Sequence, residues 1–253
     1  MLRLKEYLLE KVENSQRPKT FPDKIVNEFS GKELADAKRC CISISKGAKS
    51  FNRSIRKNGG VLPNTNSYSD TTSNDVSHAV HNLFDPKKNL NIDGKAVVYS
   101  GMRHEVQFRK DGKDQVTDVM GITSATPSLT MAKSHANKDM DSIKDPKEKE
   151  AAQNRQFHHV LAIHYDSDKH SHIPVVNIAH YTHTNEDEVV LPPHTKYRSL
   201  DPTPEYSGVD QKTNKHILVH HVEPVQTYPD FDRNFKNLTK DEKRARISEI
   251  KKL

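Results

Sequence analysis

Two glutamates one residue apart open an apolar run in Asn185-Glu186-Asp187-Glu188-Val189-Val190-Leu191-Pro192-Pro193-His194. On an extended chain, residues i and i+2 share a face, so Glu186 and Glu188 would project together into whatever that face lines. Two like charges so placed repel unless a cationic ligand, a sugar hydroxyl or a donor side chain lies between them. A pair of this kind suits proton transfer or the stabilisation of positive charge that develops during a reaction. A solvated strand end is the simpler account of the acidic pair taken alone, so companions elsewhere must decide. Two segments qualify: Val98-Tyr99-Ser100-Gly101-Met102-Arg103, and Gly121-Ile122-Thr123-Ser124-Ala125-Thr126.

Other residue types offer less. The fifteen histidines include His158 and His159 side by side, His180 and His183 three apart, and His164, His170, His172, His220 and His221 on or near expected strands. None of these spacings is a helical ligand set, and a metal site needs three or four converging ligands with a supporting shell. A metallohydrolase is therefore a secondary alternative, and no metal is expected. Cys40 and Cys41 are adjacent and poorly placed to pair within one chain, which fits a reducing compartment.

These residues must be positioned by a chain of 253 residues, 33% hydrophobic and 29% charged, without tryptophan. That length allows one large domain with an accessory lobe. No run approaches the roughly 20 apolar residues that span a bilayer, so no transmembrane segment is expected. Charges interrupt the leucines of Met1 to Glu10, which reads as an amphipathic helix and not as a secretory signal. The net charge of +6 is spread along the chain instead of forming a stripe, so no nucleic-acid partner is expected.

Leu34, Ala37, Cys41, Ile44 and Ala48 recur at three- and four-residue steps and predict a helix, ended by the turn residues Lys57-Asn58-Gly59-Gly60. Residues 63 to 75, rich in Pro, Asn, Thr and Ser, read as an exposed loop that bounds a helical N-terminal lobe, 1–75. Beyond it, Val76, Val80 and Leu83 suggest a short helix. Extended segments follow at Gly94 to Gly101, Glu105 to Arg109, Val116 to Thr123, Phe157 to Tyr165, Ile173 to Ala179, Glu188 to Leu191 and His216 to Val222. The charged stretch Met140 to Arg155 reads as a solvated loop or exposed helix. Thr239 and Glu242 have capping-box spacing and open a basic helix. The expected organisation is thus 1–75, a core at 76–228 and a C-terminal helix at 229–253, of α/β class.

The order of the three motifs resembles the arginine-serine-glutamate class of mono-ADP-ribosyltransferases. Members have an aromatic-Arg-Gly strand, a Ser-Thr-Ser-like strand followed by a helix carrying an alanine, and a Glu-x-Glu turn opening a strand that often ends in Leu-Pro-Pro. Ser124-Ala125-Thr126, Ala132 and Glu186 to Pro193 match. The chain departs from the pattern at Ser100, where the family has an arginine for the cofactor phosphates. Arg103 is the nearest substitute, with Arg109 a further candidate, and Arg103 would need a bulge or turn at Gly101 to reach that face.

The resemblance implies a mixed-sheet core of two packed sheets around an NAD cleft. NAD would be the co-substrate, and ADP-ribose would pass to a side chain of a protein partner with release of nicotinamide. Glu188 would hydrogen-bond the nicotinamide ribose, with Ser124 holding its carboxylate in place. Glu186 would meet the acceptor, and a glutamate here implies arginine. Tyr99, Ser100, Gly101, Arg103, Ser124 and Thr126 are the candidates to line the cofactor, and Tyr181 is a candidate acceptor contact or a packing residue. Members are often bacterial toxins or effectors, which implies a soluble protein that is cytoplasmic or delivered into a host cell by a signal outside the N-terminus. The alternatives are a binding module that has lost catalysis and an NAD glycohydrolase.

Overall fold

The computed structural model describes residues 21–57, 80, 82–85, 87–102, 105–119, 121–137, 150, 156–182, 187–211 and 213–227. Arg103, Glu186, the expected helix at Met1 to Glu10, the loop at 63 to 75, most of 140 to 155 and the basic helix at 229–253 lie outside these residues.

The chain is α/β and layered. Helices α1 (Ile25–Glu28) and α2 (Gly31–Lys57) come first. Strands β1 (Lys95–Met102), β2 (Arg109–Asp111), β3 (Asp114–Val119) and β4 (Thr123–Ala125) then lead to helix α3 (Leu129–Asn137). Strand β5 (Phe157–Asp166), β6 (Val176–Asn177), a 3-10 turn (Ala179–Tyr181) and β7 (Val189–Leu191) follow, and β8 (Thr195–Ser199), β9 (Glu205–Asp210) and β10 (Lys215–Gln226) complete it. The large sheet has the order β1-β5-β10-β8-β3-β2, with β9 also on β10, and the small sheet has the order β4-β7-β6. Only β5 and β10 pair in parallel among these strands.

Alternation along the strands sorts the core into three layers. Leu161, Ile163, Tyr165 and Val222 of the large sheet meet Ala125, Val189 and Leu191 of the small one. Val160, Ala162, Ile217 and Val219 point the other way, under Ala132 of α3. Val176, Ile178 and Val190 face Ala37, Cys40, Cys41 and Ile44, which recur at i, i+3, i+4 and i+7 along α2. The small sheet is thereby covered on both faces, which explains why Val189-Val190-Leu191 is a continuous apolar run. The helices of the expected N-terminal lobe pack straight onto this sheet.

Three expectations are corrected. Val116 to Thr123 is not one strand: β3 belongs to the large sheet and β4 to the small one. Strand β7 ends at the double proline. His194 adopts the left-handed conformation (φ 56°), and the chain turns into β8, with Thr195 donating its hydroxyl to the Pro192 carbonyl at 2.7 Å. Since β3 pairs with β8 and β4 with β7, one two-stranded ribbon passes from the large sheet into the small sheet and bends at both crossings. Of Ile173 to Ala179, only Val176–Asn177 is a strand, and of Glu105 to Arg109 only Arg109 lies in one.

Helix α3 lies close against β1 at Gly101. A Cβ there would stand 2.3 Å from the Ala132 carbonyl oxygen and 2.5 Å from the Ala136 nitrogen, both backbone atoms. Because neither can swing aside, Gly101→Ala is expected to lift α3 and to destabilise the chain by about 1–3 kcal/mol. A urea-unfolding midpoint unchanged from wild type would contradict this close contact.

Candidate active site

β4 and β7 run antiparallel with Ser124 opposite Val190 and Ala125 opposite Val189. Ser124 and Glu188 therefore share a face of the ribbon, displaced by two residues. The Ser124 hydroxyl donates to Glu188 Oε1 at 2.5 Å. Glu188 is only 8% exposed, whereas Ser124 is open to solvent. A buried carboxylate gripped from its solvent side by a hydroxyl is fixed in orientation before any ligand arrives. Its backbone is fixed too, because Ile178 N–H donates to the Glu188 carbonyl at 2.9 Å.

Behind this pair stands α2. Burial pushes the Cys41 thiol far up, and the Asp23 and Glu188 carboxylates push it further, so Cys41 is an inert thiol beneath the site. Burial likewise raises Cys40, with Cys41 adding to it. Both cysteines are free.

The candidate cofactor residues are occupied by the fold in instructive ways. The Tyr99 backbone exchanges hydrogen bonds with Thr126, at 2.7 and 2.9 Å, and its ring packs beside Ala132 under α3. Ser100 is 5% exposed and donates its hydroxyl to the Ser124 carbonyl at 2.8 Å. Gly101 supplies the space for α3. Thr126 accepts from Ser128 N–H through Oγ1 at 3.2 Å, and Ser128 caps α3 by accepting from Met131 N–H at 3.3 Å. Ser100 thus joins the two sheets. Arg109 is ion-paired with Asp118 on β3. Burial pushes the Asp118 carboxyl up, against the opposing pull of Arg109, Lys196 and His194.

Tyr181 closes the 3-10 turn before the glutamates. Its hydroxyl donates to Asp23 Oδ2 at 2.5 Å, Lys38 lies 5.5 Å from its ring centroid, and the ring packs against the α2 cluster. Burial, then the Asp23 hydrogen bond, pushes its hydroxyl well above the ordinary range. Asp23 and Asn177 were invisible to sequence reasoning. Asp23 also accepts from Ile25 N–H at 3.0 Å at the start of α1.

The histidines pair across the parallel strands. His159 Nδ1 lies 2.9 Å from His220 Nε2 with the rings stacked, and His164 Nε2 lies 2.9 Å from His221 Nδ1. Each contact needs one nitrogen to donate and the other to accept. Among the described residues, no three His, Cys, Asp or Glu side chains gather as a metal site. No helix among them is long and apolar enough to cross a membrane.

No family model matches the sequence, and no curated protein matches it. Among solved structures, the chain is similar to an ADP-ribosyltransferase from Clostridium botulinum, at 12% identity over 74% of this chain and 86% of that one, with a TM-score of 0.44. It is similar to an ADP-ribosyltransferase toxin from Paenibacillus larvae, at 11% identity over 86% and 97%, TM-score 0.44. A third likeness is to exoenzyme S from Pseudomonas aeruginosa, in a complex with human 14-3-3 protein beta and bound to carba-NAD, at 11% identity over 80% and 86%, TM-score 0.45. The chain thus resembles ADP-ribosyltransferases of bacteria in its structure as in its three motifs. At these identities and TM-scores, no activity is transferred from them.

Burial pushes His220 down to about 4, with His159 and His221 adding to it, while burial and His221 lower His164. Unfolded His220 takes up its proton near 6.5. Between these values the unfolded chain binds more protons than the folded one, so stability is full above pH 6.5 and is lost as pH falls towards 4. Urea midpoints measured across this window should fall, and His220→Phe should lessen the fall. An equal fall in the variant would exclude His220 as its source.

Proposed function

We propose that the chain is an NAD-dependent protein mono-ADP-ribosyltransferase, with arginine as the acceptor. The observation that carries this reading is the hydrogen bond from Ser124, in the middle of β4, to the buried carboxylate of Glu188, just ahead of the paired strand β7. In the reaction, the bond between the ribose anomeric carbon and the nicotinamide nitrogen breaks, its electron pair leaving with neutral nicotinamide. The acceptor nitrogen forms the new bond to that carbon and gives up a proton.

The ribose becomes cationic as the leaving group departs. A carboxylate already oriented beside it stabilises this charge more than it stabilises the ground state. Glu188 is suited to that part because the Ser124 hydroxyl and the β4–β7 pairing fix its direction. Glu186, two residues earlier, would orient the guanidinium and take its proton. Arg103 would supply the positive charge for the NAD phosphates, since the Ser100 hydroxyl is spent on Ser124 and Arg109 is paired with Asp118. Action as a bacterial effector on a host protein belongs to the same proposal.

Incubation of the purified chain with labelled NAD and a cell lysate tests it. Nicotinamide should be released and protein labelled on arginine. Glu188→Gln should lower turnover by about 10²–10³-fold. Ser124→Ala, which frees the carboxylate from a charge-assisted hydrogen bond, should lower it by roughly tenfold or more with the fold intact by circular dichroism. Absence of NAD turnover in the wild type would sink the enzyme reading in favour of a binding module, and hydrolysis without labelling would point to a glycohydrolase.

A further inference from the structure

The segment ahead of α1 is strapped to the turn ahead of Glu188. Asn177, 4% exposed, donates both amide hydrogens to it, to the Phe21 carbonyl at 2.9 Å and the Pro22 carbonyl at 3.2 Å. The same side chain accepts from Ala179 N–H at 3.0 Å, so one amide holds the strap and the 3-10 turn together. His180 Nε2 lies 3.1 Å from the Phe21 carbonyl, and Tyr181 donates to Asp23.

All of these contacts converge on five consecutive residues, 177 to 181. Ile178, inside that run, bonds the Glu188 backbone. On the strap side, Lys24 is tied to Asp93 at 2.5 Å, and Ile25 is buried among Ile44, Ile178 and Val190. The strap is therefore also anchored outside the turn, through Asp93 and the α2 cluster.

A turn of this length has no need of four side-chain bonds to a segment over 150 residues away. The 3-10 turn already closes on itself through Tyr181 N–H to the Ile178 carbonyl and Thr182 to the Ala179 carbonyl. What the strap adds is a fixed position for the turn relative to Glu188, and small displacements beside a reacting centre are costly.

We propose that Asp23 is a positioning residue: acting through Tyr181, it fixes the turn beside Glu188 and so directs the activated ribose to a protein acceptor instead of water. This rests on the transfer reading above. The four bonds of the strap end on the turn and not on Ser124 or the Glu188 carboxylate, so loss of one of them should cost transfer more than cleavage of NAD.

Asp23→Asn keeps an oxygen for Ile25 N–H while weakening the acceptor for Tyr181. Two rates are to be measured, nicotinamide release without acceptor and transfer of labelled ADP-ribose into lysate protein. Hydrolysis should stay within about twofold and transfer should fall about tenfold, as expected for a lost orientation. In a Tyr181→Phe background, Asp23→Asn should lower transfer no further. Parallel loss of both rates, unchanged transfer, or additive effects of the two substitutions would each overturn the role of Asp23 while leaving the transfer reading standing. A wild type that fails to label protein overturns the transfer reading, and the role of Asp23 with it.

Discussion

The seam where β1 meets β4 sets the geometry of the rest. Three successive residues build it, each with a different resource. Tyr99 gives its backbone N–H and C=O to Thr126, Ser100 gives a hydroxyl to the Ser124 carbonyl, and Gly101 gives the absence of a side chain to α3. Buried backbone groups at a sheet edge must find partners, and here those of the small sheet find them on the large one. Ser124 is held by its backbone from one side and offers its hydroxyl to Glu188 on the other. A long cationic side chain at position 100 would have to occupy the space between the sheets where this hydroxyl reaches across.

Much of the frame was legible because it rests on local pattern. The apolar runs of β1, β5 and β10 and the three- and four-residue steps of α2 arise from burial on one or both faces, which sequence records directly. Strands β8 and β9 escaped notice because their partners supply what their composition lacks. Lys196 reaches Asp111 at 2.9 Å, and Arg198 pairs with Glu223 and Asp114, so a charged stretch lies stably in a sheet. Glu223, despite burial that pushes it up, is held below its ordinary range by Lys169 and Arg198.

The site divides along the same line. Ser124 and Glu188 were readable as types in order, and a single hydrogen bond now joins them. Asp23 was not readable, since nothing near it in sequence announces a partner at position 181. Ser100 stood out as a departure from a pattern, and its physical reason emerged only with the seam. The break between β3 and β4 was hidden because both halves are extended. A bend that carries a ribbon from one sheet to another leaves little trace beyond a glycine.

The parallel pairing of β5 with β10 has a consequence for how the protein is made. Everything between these strands, from β6 through β9, is looped out when they meet, so the central contact of the large sheet closes a long loop of chain. Such contacts form late and slowly. A growing chain that has already delivered Ser124 and Glu188 still lacks the strand on which β5, β8 and β9 all depend. Both residues are synthesised before the frame that holds them, which is completed only when the chain has reached Gln226.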